Sequence, residues 1–169
     1  MRYRFLRFPG GKAKAFTMSY DDGVRQDIRL AEICCKFGVK CTFNLNSGLI
    51  HPEPGHRRLA ACEIREHLLG AGHEIAVHGF NHQAPGAARP IDTMQEVVKD
   101  RLGLEKEFGG IIRGMAYPDS GITKIHPGTS YETIRQILAG SGIAYARSLG
   151  GDNDRFLLPE DCTKEQLLD

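Results

Sequence analysis

A chain of 169 residues is about one domain's length, and its 41% hydrophobic and 25% charged residues suit a globular protein with a buried core. Disorder, collagen-like repeats and coiled coils are excluded, since the apolar content is too high for the first and neither repeat period occurs. Twenty-two Lys and Arg against 21 Asp and Glu leave a formal charge of +1, so nothing electrostatic argues for nucleic acid or an anionic membrane as a partner.

Taken in chain order, residues 1–8 are basic and aromatic, but Arg4 and Arg7 interrupt them. No signal peptide and no membrane span of about 20 apolar residues is legible. The five cysteines (Cys34, Cys35, Cys41, Cys62 and Cys162) form an odd set without C-x-x-C and read as buried, reduced thiols, so the chain is expected to be cytoplasmic. Residues 13–20 predict a strand, closed by the turn Asp21-Asp22-Gly23. Val24, Ile28, Ala31 and Cys35 recur at helical spacing, and Gly38 is placed to end that helix.

Residues 39–45 predict a second strand, followed by a proline-containing loop and a helix over 59–69. Residues 74–78 read as a third strand. Thr93 and Glu96 have the spacing of a capping box at the head of an amphipathic helix to Phe108. A fourth strand is expected at 111–117. Thr129 and Glu132 form a second such box, opening a helix that stops near Gly140. A fifth strand at 143–146, a sixth at 156–158 and a polar tail complete the pattern. Strand and helix alternate throughout, which predicts a parallel sheet, either open or closed into a barrel.

In both architectures chemistry collects at the carboxyl ends of the strands. Three segments there carry reactive residues: Asp21-Asp22, His78 to His82, and Tyr117-Pro118-Asp119. A single aspartate before a helix is a natural N-cap, but adjacent carboxylates repel each other, and a bound cation is a common reason to pair them. Two histidines four apart can be plain surface residues or can reach one ion. With an aspartate from another strand end they make a three-ligand set with an open fourth position, the arrangement of a catalytic zinc. His51, His56 and His126 lie in loops, His67 on a helix, and His73 is expected to make structural hydrogen bonds.

T-M-S-Y-D-D-G at Thr17 to Gly23, G-H-E-I at Gly72 to Ile75 and H-G-F-N-H at His78 to His82 resemble the polysaccharide deacetylases, the NodB-like carbohydrate esterase family 4, in order and separation. The resemblance runs from about Lys12 to the end of the chain. It implies an α/β fold, a distorted (β/α) barrel of which five or six strands are present, forming a single domain over 1–169 that lacks the last part of the barrel. It also implies removal of N- or O-linked acetyl groups from oligo- or polysaccharides. On that pattern Asp21 is the catalytic base. Asp22, His78 and His82 hold a divalent metal, zinc first, and the backbone N–H of Asp119 faces the oxyanion.

Tyr20 and Tyr117, with Phe80, lie near the expected site, where they either stack on sugar faces or fill the core. Tyr20 and Gly79 depart mildly from the family pattern. In the third motif, normally R-x-P-[FY], the arginine position falls on Ala116, so the usual partner of the base is missing. The sequence has no Trp and no His after His126, so the family's general-acid histidine has no counterpart. The alternative to an enzyme is a non-catalytic carbohydrate- or metal-binding domain of the same family. An unclosed barrel also leaves edges that a homo-oligomer would cover.

Overall fold

The computed structural model describes residues 8–12 and 14–148. Residues 18–148 fall in one compact unit, and the described residues before Met18 fall in another. In the latter, Phe8 and Lys12 pair antiparallel around a single 3-10 turn, Pro9–Gly11.

The larger unit alternates strand and helix. Its elements are β1 (Met18–Asp21), α1 (Gln26–Lys36), β2 (Cys41–Leu45), α2 (Ala61–Glu63), β3 (Glu74–Val77), α3 (Pro90–Phe108), β4 (Gly114–Ala116), α4 (Tyr131–Gly140) and β5 (Tyr145–Arg147). Helix α2 runs directly into a π-helical stretch, Ile64–Leu69. The five strands are all parallel and lie side by side in chain order. The sheet curls into a half-barrel with helices, in line with an incomplete NodB-like barrel.

Strand alternation divides the residues between two faces. Phe43 and Leu45 of β2, Ile75 and Val77 of β3 and Met115 of β4 join the apolar core, with Ala31, Leu68, Val97, Leu104 and Ile134 from the helical segments. Burying each large side chain contributes about 1.5–3 kcal/mol. The residues in between point the other way. Register pairs Asp21 with Asn44, Asn44 with Ala76, and Ala116 with Arg147. That face carries polar side chains beside two alanines small enough to leave room for them.

Element ends differ from the sequence expectation in instructive ways. Strand β1 begins at Met18, and the core face of α1 uses Cys34, 3% exposed, while Cys35 is exposed. Helix α3 starts earlier than the Thr93–Glu96 spacing suggests, because Pro90 with its fixed φ takes the first helical position. Thr93 instead donates its hydroxyl to the Pro85 carbonyl (3.0 Å). Helix α4 is capped by Ser130, whose hydroxyl accepts from the Thr133 N–H (3.1 Å), and Thr129 donates to the Ala88 carbonyl (3.0 Å). The sixth strand expected at 156–158, and Cys162, lie outside the described residues. Among the described residues no helix is long and apolar enough to cross a membrane.

Candidate functional site

The ends of β1 and β3 bring Asp22, His78 and His82 together, with one ligand atom of each within 4.8 Å of the others. Asp22 Oδ1 lies 3.4 Å from His82 Nε2 and 4.0 Å from His78 Nε2. That oxygen is shut off from solvent and accepts no hydrogen bond, and Arg58 Nη1 forms an ion pair with it at 3.1 Å. A buried carboxylate oxygen without a donor is costly unless something positive occupies the space it faces.

His78 is 1% exposed, and its Nδ1 donates to the Ala116 carbonyl (2.9 Å). Burial holds this imidazole below the ordinary histidine range, against the opposing pull of that carbonyl. With Nδ1 engaged by that carbonyl, Nε2 is the ring nitrogen turned towards Asp22. The donor set of one carboxylate oxygen and two imidazole nitrogens suits zinc or a similar divalent ion.

The loop carrying the histidines is pinned by α3 and β2. Asp100, fully buried on α3, accepts from the His78 N–H (2.9 Å) and from the Ser47 N–H (2.5 Å). Burial pushes its carboxyl up to about 6. Four residues earlier on the same helix, Glu96 accepts from the Asn81 N–H (2.7 Å) and side-chain amide (3.1 Å). Asn46 donates to the carbonyls of His78 (2.6 Å) and Gly79 (2.7 Å). Gly79 sits at φ 79°, which explains a glycine where the family pattern has Ser or Thr. Among the described residues the only non-glycine positions with positive φ are Asp22 (84°), His82 (64°) and Asp119 (49°). All three lie at the strand ends that the sequence singles out, and such conformations persist only where surrounding structure enforces them.

Asp21 is held separately from that cluster. Its Oδ1 accepts from the Asn44 side chain (2.8 Å) and from the guanidinium of Arg147 on β5. Arg147 Nε also donates to the Ser19 hydroxyl (3.1 Å). Arg147, in register with Ala116, thus brings an arginine against Asp21 from the next strand. Asn44, Asn46, Asp100 and Arg147 escaped the sequence reading. A signal existed for three of them: two asparagines punctuate an apolar strand end, and Asp100 stands between Val97 and Leu104 on a core-facing helical stripe. Arg147 carries no local signal.

Asp119 is exposed, and among the described residues its backbone N–H meets no acceptor. Tyr20, 43% exposed, lines an open cleft of about 530 Å³ with Asp21, Asp22, Arg29 and Arg57. Tyr117 is placed differently from a sugar-stacking ring. Alternation turns it to the same face as Met115, where it is 5% exposed within the core and burial pushes its hydroxyl up to about 12. Phe80 packs against Gly48, where a Cβ would meet the ring.

The profile of the polysaccharide deacetylase family matches residues 3–138, and the chain belongs to that family. No curated protein sequence matches it. Among solved structures it is similar to the Streptococcus pyogenes deacetylase PplD in complex with acetate. That match has a TM-score of 0.68 at 21% identity and covers 81% of this chain and 56% of the other. It is also similar to a family 4 carbohydrate esterase from Streptomyces lividans in complex with acetate (TM-score 0.59, 16% identity, 80% of this chain and 62% of the other). A third is the chitin deacetylase from the fungal pathogen Colletotrichum lindemuthianum (TM-score 0.59, 19% identity, 77% and 53%). The chain therefore spans between about half and three-fifths of the length of these three proteins.

Proposed function

We propose that the chain is the metal-binding part of a hydrolase that removes acetyl groups from N- or O-acetylated sugars. The observation that carries this is the convergence of one ligand atom each from Asp22, His78 and His82 within 4.8 Å, with the solvent-shielded Asp22 Oδ1 facing both imidazole Nε2 atoms and accepting no hydrogen bond. Asp22, His78 and His82 would hold a divalent metal, zinc first. When bound, it would polarise the acetyl carbonyl and lower the pKa of water at the site.

The chain's own residues do the rest. Asp21, free of the ligand cluster and oriented by Asn44 and Arg147, takes the proton of the attacking water. The Asp119 N–H, at a strand end beside the site, donates to the carbonyl oxygen as it gains charge. Tyr20 offers an exposed ring to a sugar face at the cleft. Two of the similar solved structures are in complex with acetate, the product that such a hydrolysis releases, which supports this reading.

Elemental analysis and acetate release from acetylated oligosaccharides test this together. The unaltered chain should hold about one zinc and release acetate. Asp22→Ala and His78→Ala should lose the metal, whereas Asp21→Asn should keep it and lose turnover. A chain that takes up no zinc, cobalt, nickel or iron on reconstitution, or an Asp21→Asn variant with full turnover, overturns the assignment.

A further inference from the structure

Residues 57–59 fold back on the turn after β1. The Leu59 N–H donates to the Gly23 carbonyl (2.9 Å) and the Arg25 N–H to the Arg57 carbonyl (2.8 Å). This pairing aims Arg58, half-buried, into the site. Its Nη1 donates to the backbone carbonyl of Asp22 and to Asn46 Oδ1 (3.1 Å), and lies 3.1 Å from Asp22 Oδ1. Asn46 is 2% exposed, and its amide N–H groups go to the carbonyls of His78 (2.6 Å) and Gly79 (2.7 Å). One continuous polar path therefore joins the backbone of the Asp22 segment to the backbone of the histidine segment.

At one end of that path Asp22 holds a left-handed backbone, φ 84°, which an aspartate keeps only where surrounding structure enforces it. The Arg58 hydrogen bond to the Asp22 carbonyl is one of the contacts that enforce it. We propose that Arg58 and Asn46 act as one clamp that sets the spacing between Asp22 and the His78–His82 loop, and so sets the affinity of the site for its divalent cation. The clamp rests on the metal-site reading given above. Two effects of Arg58 oppose each other: its positive charge repels a cation, while its hydrogen bonds hold the ligands in place. Nη1 hydrogen-bonds the Asp22 carbonyl and Asn46 but makes only an ion pair with Asp22 Oδ1, which accepts no hydrogen bond from it, so on this reading positioning outweighs repulsion. Loss of a partner that orients metal ligands typically weakens binding by roughly 10- to 100-fold.

Zinc titration calorimetry on the full chain, stripped with a chelator, provides the test. Arg58→Ala should bind zinc roughly 10- to 100-fold more weakly. Arg58→Lys should fall between, because a single ammonium lacks the planar fork of donors. Asn46→Ser should weaken binding as well, and the double variant should lose little more than the worse single one, since either change opens the same clamp. Circular dichroism of each metal-free variant confirms that a folded chain is being titrated, with Arg58→Lys the variant least at risk. Zinc binding by Arg58→Ala as tight as the unaltered chain's, or tighter, overturns the clamp and leaves the metal site standing. So do losses that multiply in the double variant. Absence of binding by the unaltered chain overturns the metal site itself, and the clamp with it.

Discussion

Asp27 is a buried carboxylate next to the candidate site, and replacing it by asparagine should stabilise the metal-free protein in a pH-dependent way. It is 3% exposed, and one oxygen, Oδ2, accepts from the Val24 N–H (2.9 Å). Burial first, with Asp22 and Asp21 adding to it, pushes its pKa from 3.8 to about 6. A shift of about two units corresponds to ~3 kcal/mol. The unfolded chain ionises near 3.8 and the folded one near 6, so between those values the folded state binds more protons. Stability therefore falls as pH rises through that window, and the deficit is complete above it. An asparagine oxygen can still accept from Val24 but never ionises. Urea unfolding of the two proteins in chelator, from pH 4 to pH 8, should show Asp27→Asn ahead by up to ~3 kcal/mol at the alkaline end, converging towards pH 4. A difference that stays constant across that range would refute the burial argument.

Replacing Arg147 with alanine should cut acetate release about 10- to 100-fold with the metal content unchanged, since a charge-assisted hydrogen bond to Asp21 is worth roughly 1.5–3 kcal/mol. Gly79→Ser should destabilise the fold by roughly 1–2 kcal/mol in chemical denaturation. The cost is in the backbone, because a Cβ there would meet Glu96 and Pro118 only at an ordinary 3.5 Å. Native alkylation followed by peptide mass spectrometry should find Cys35 and Cys62 modified and Cys34 and Cys41 untouched. The latter two are buried 3.1 Å apart, with the Cys41 thiol pushed up to about 12 chiefly by burial.

The order of strands and the motif segments at their ends were legible because both follow from local pattern: alternating apolar runs, Gly punctuation, and the D-D-G and H-x-x-x-H spacings. The capping boxes went astray for a local reason too. Thr93 and Glu96 have the right separation, but Pro90 fixes the helix start three residues upstream and frees Glu96 to hold Asn81. What stayed hidden depends on distant contacts. Arg147 meets Asp21 across 126 positions, and only the curl of the sheet brings β5 within reach of β1. Tyr117 reads as a site aromatic from its neighbours Pro118 and Asp119, yet the pleat assigns it to the face of Met115. The left-handed backbones of Asp22, His82 and Asp119 were hidden because, unlike Gly79, these three positions carry no glycine to announce them.

Because the strands lie side by side in the order in which they are synthesised, the site has a chronology. The three candidate ligands have all been synthesised by residue 82, but their supports arrive later: Glu96 and Asp100 with α3, the carbonyl that engages His78 Nδ1 at Ala116, and the partner of Asp21 at Arg147. A nascent chain thus carries the three candidate ligands before it carries the side chains and carbonyl that hold them, and Arg147, the partner of Asp21, is the last of these to be made.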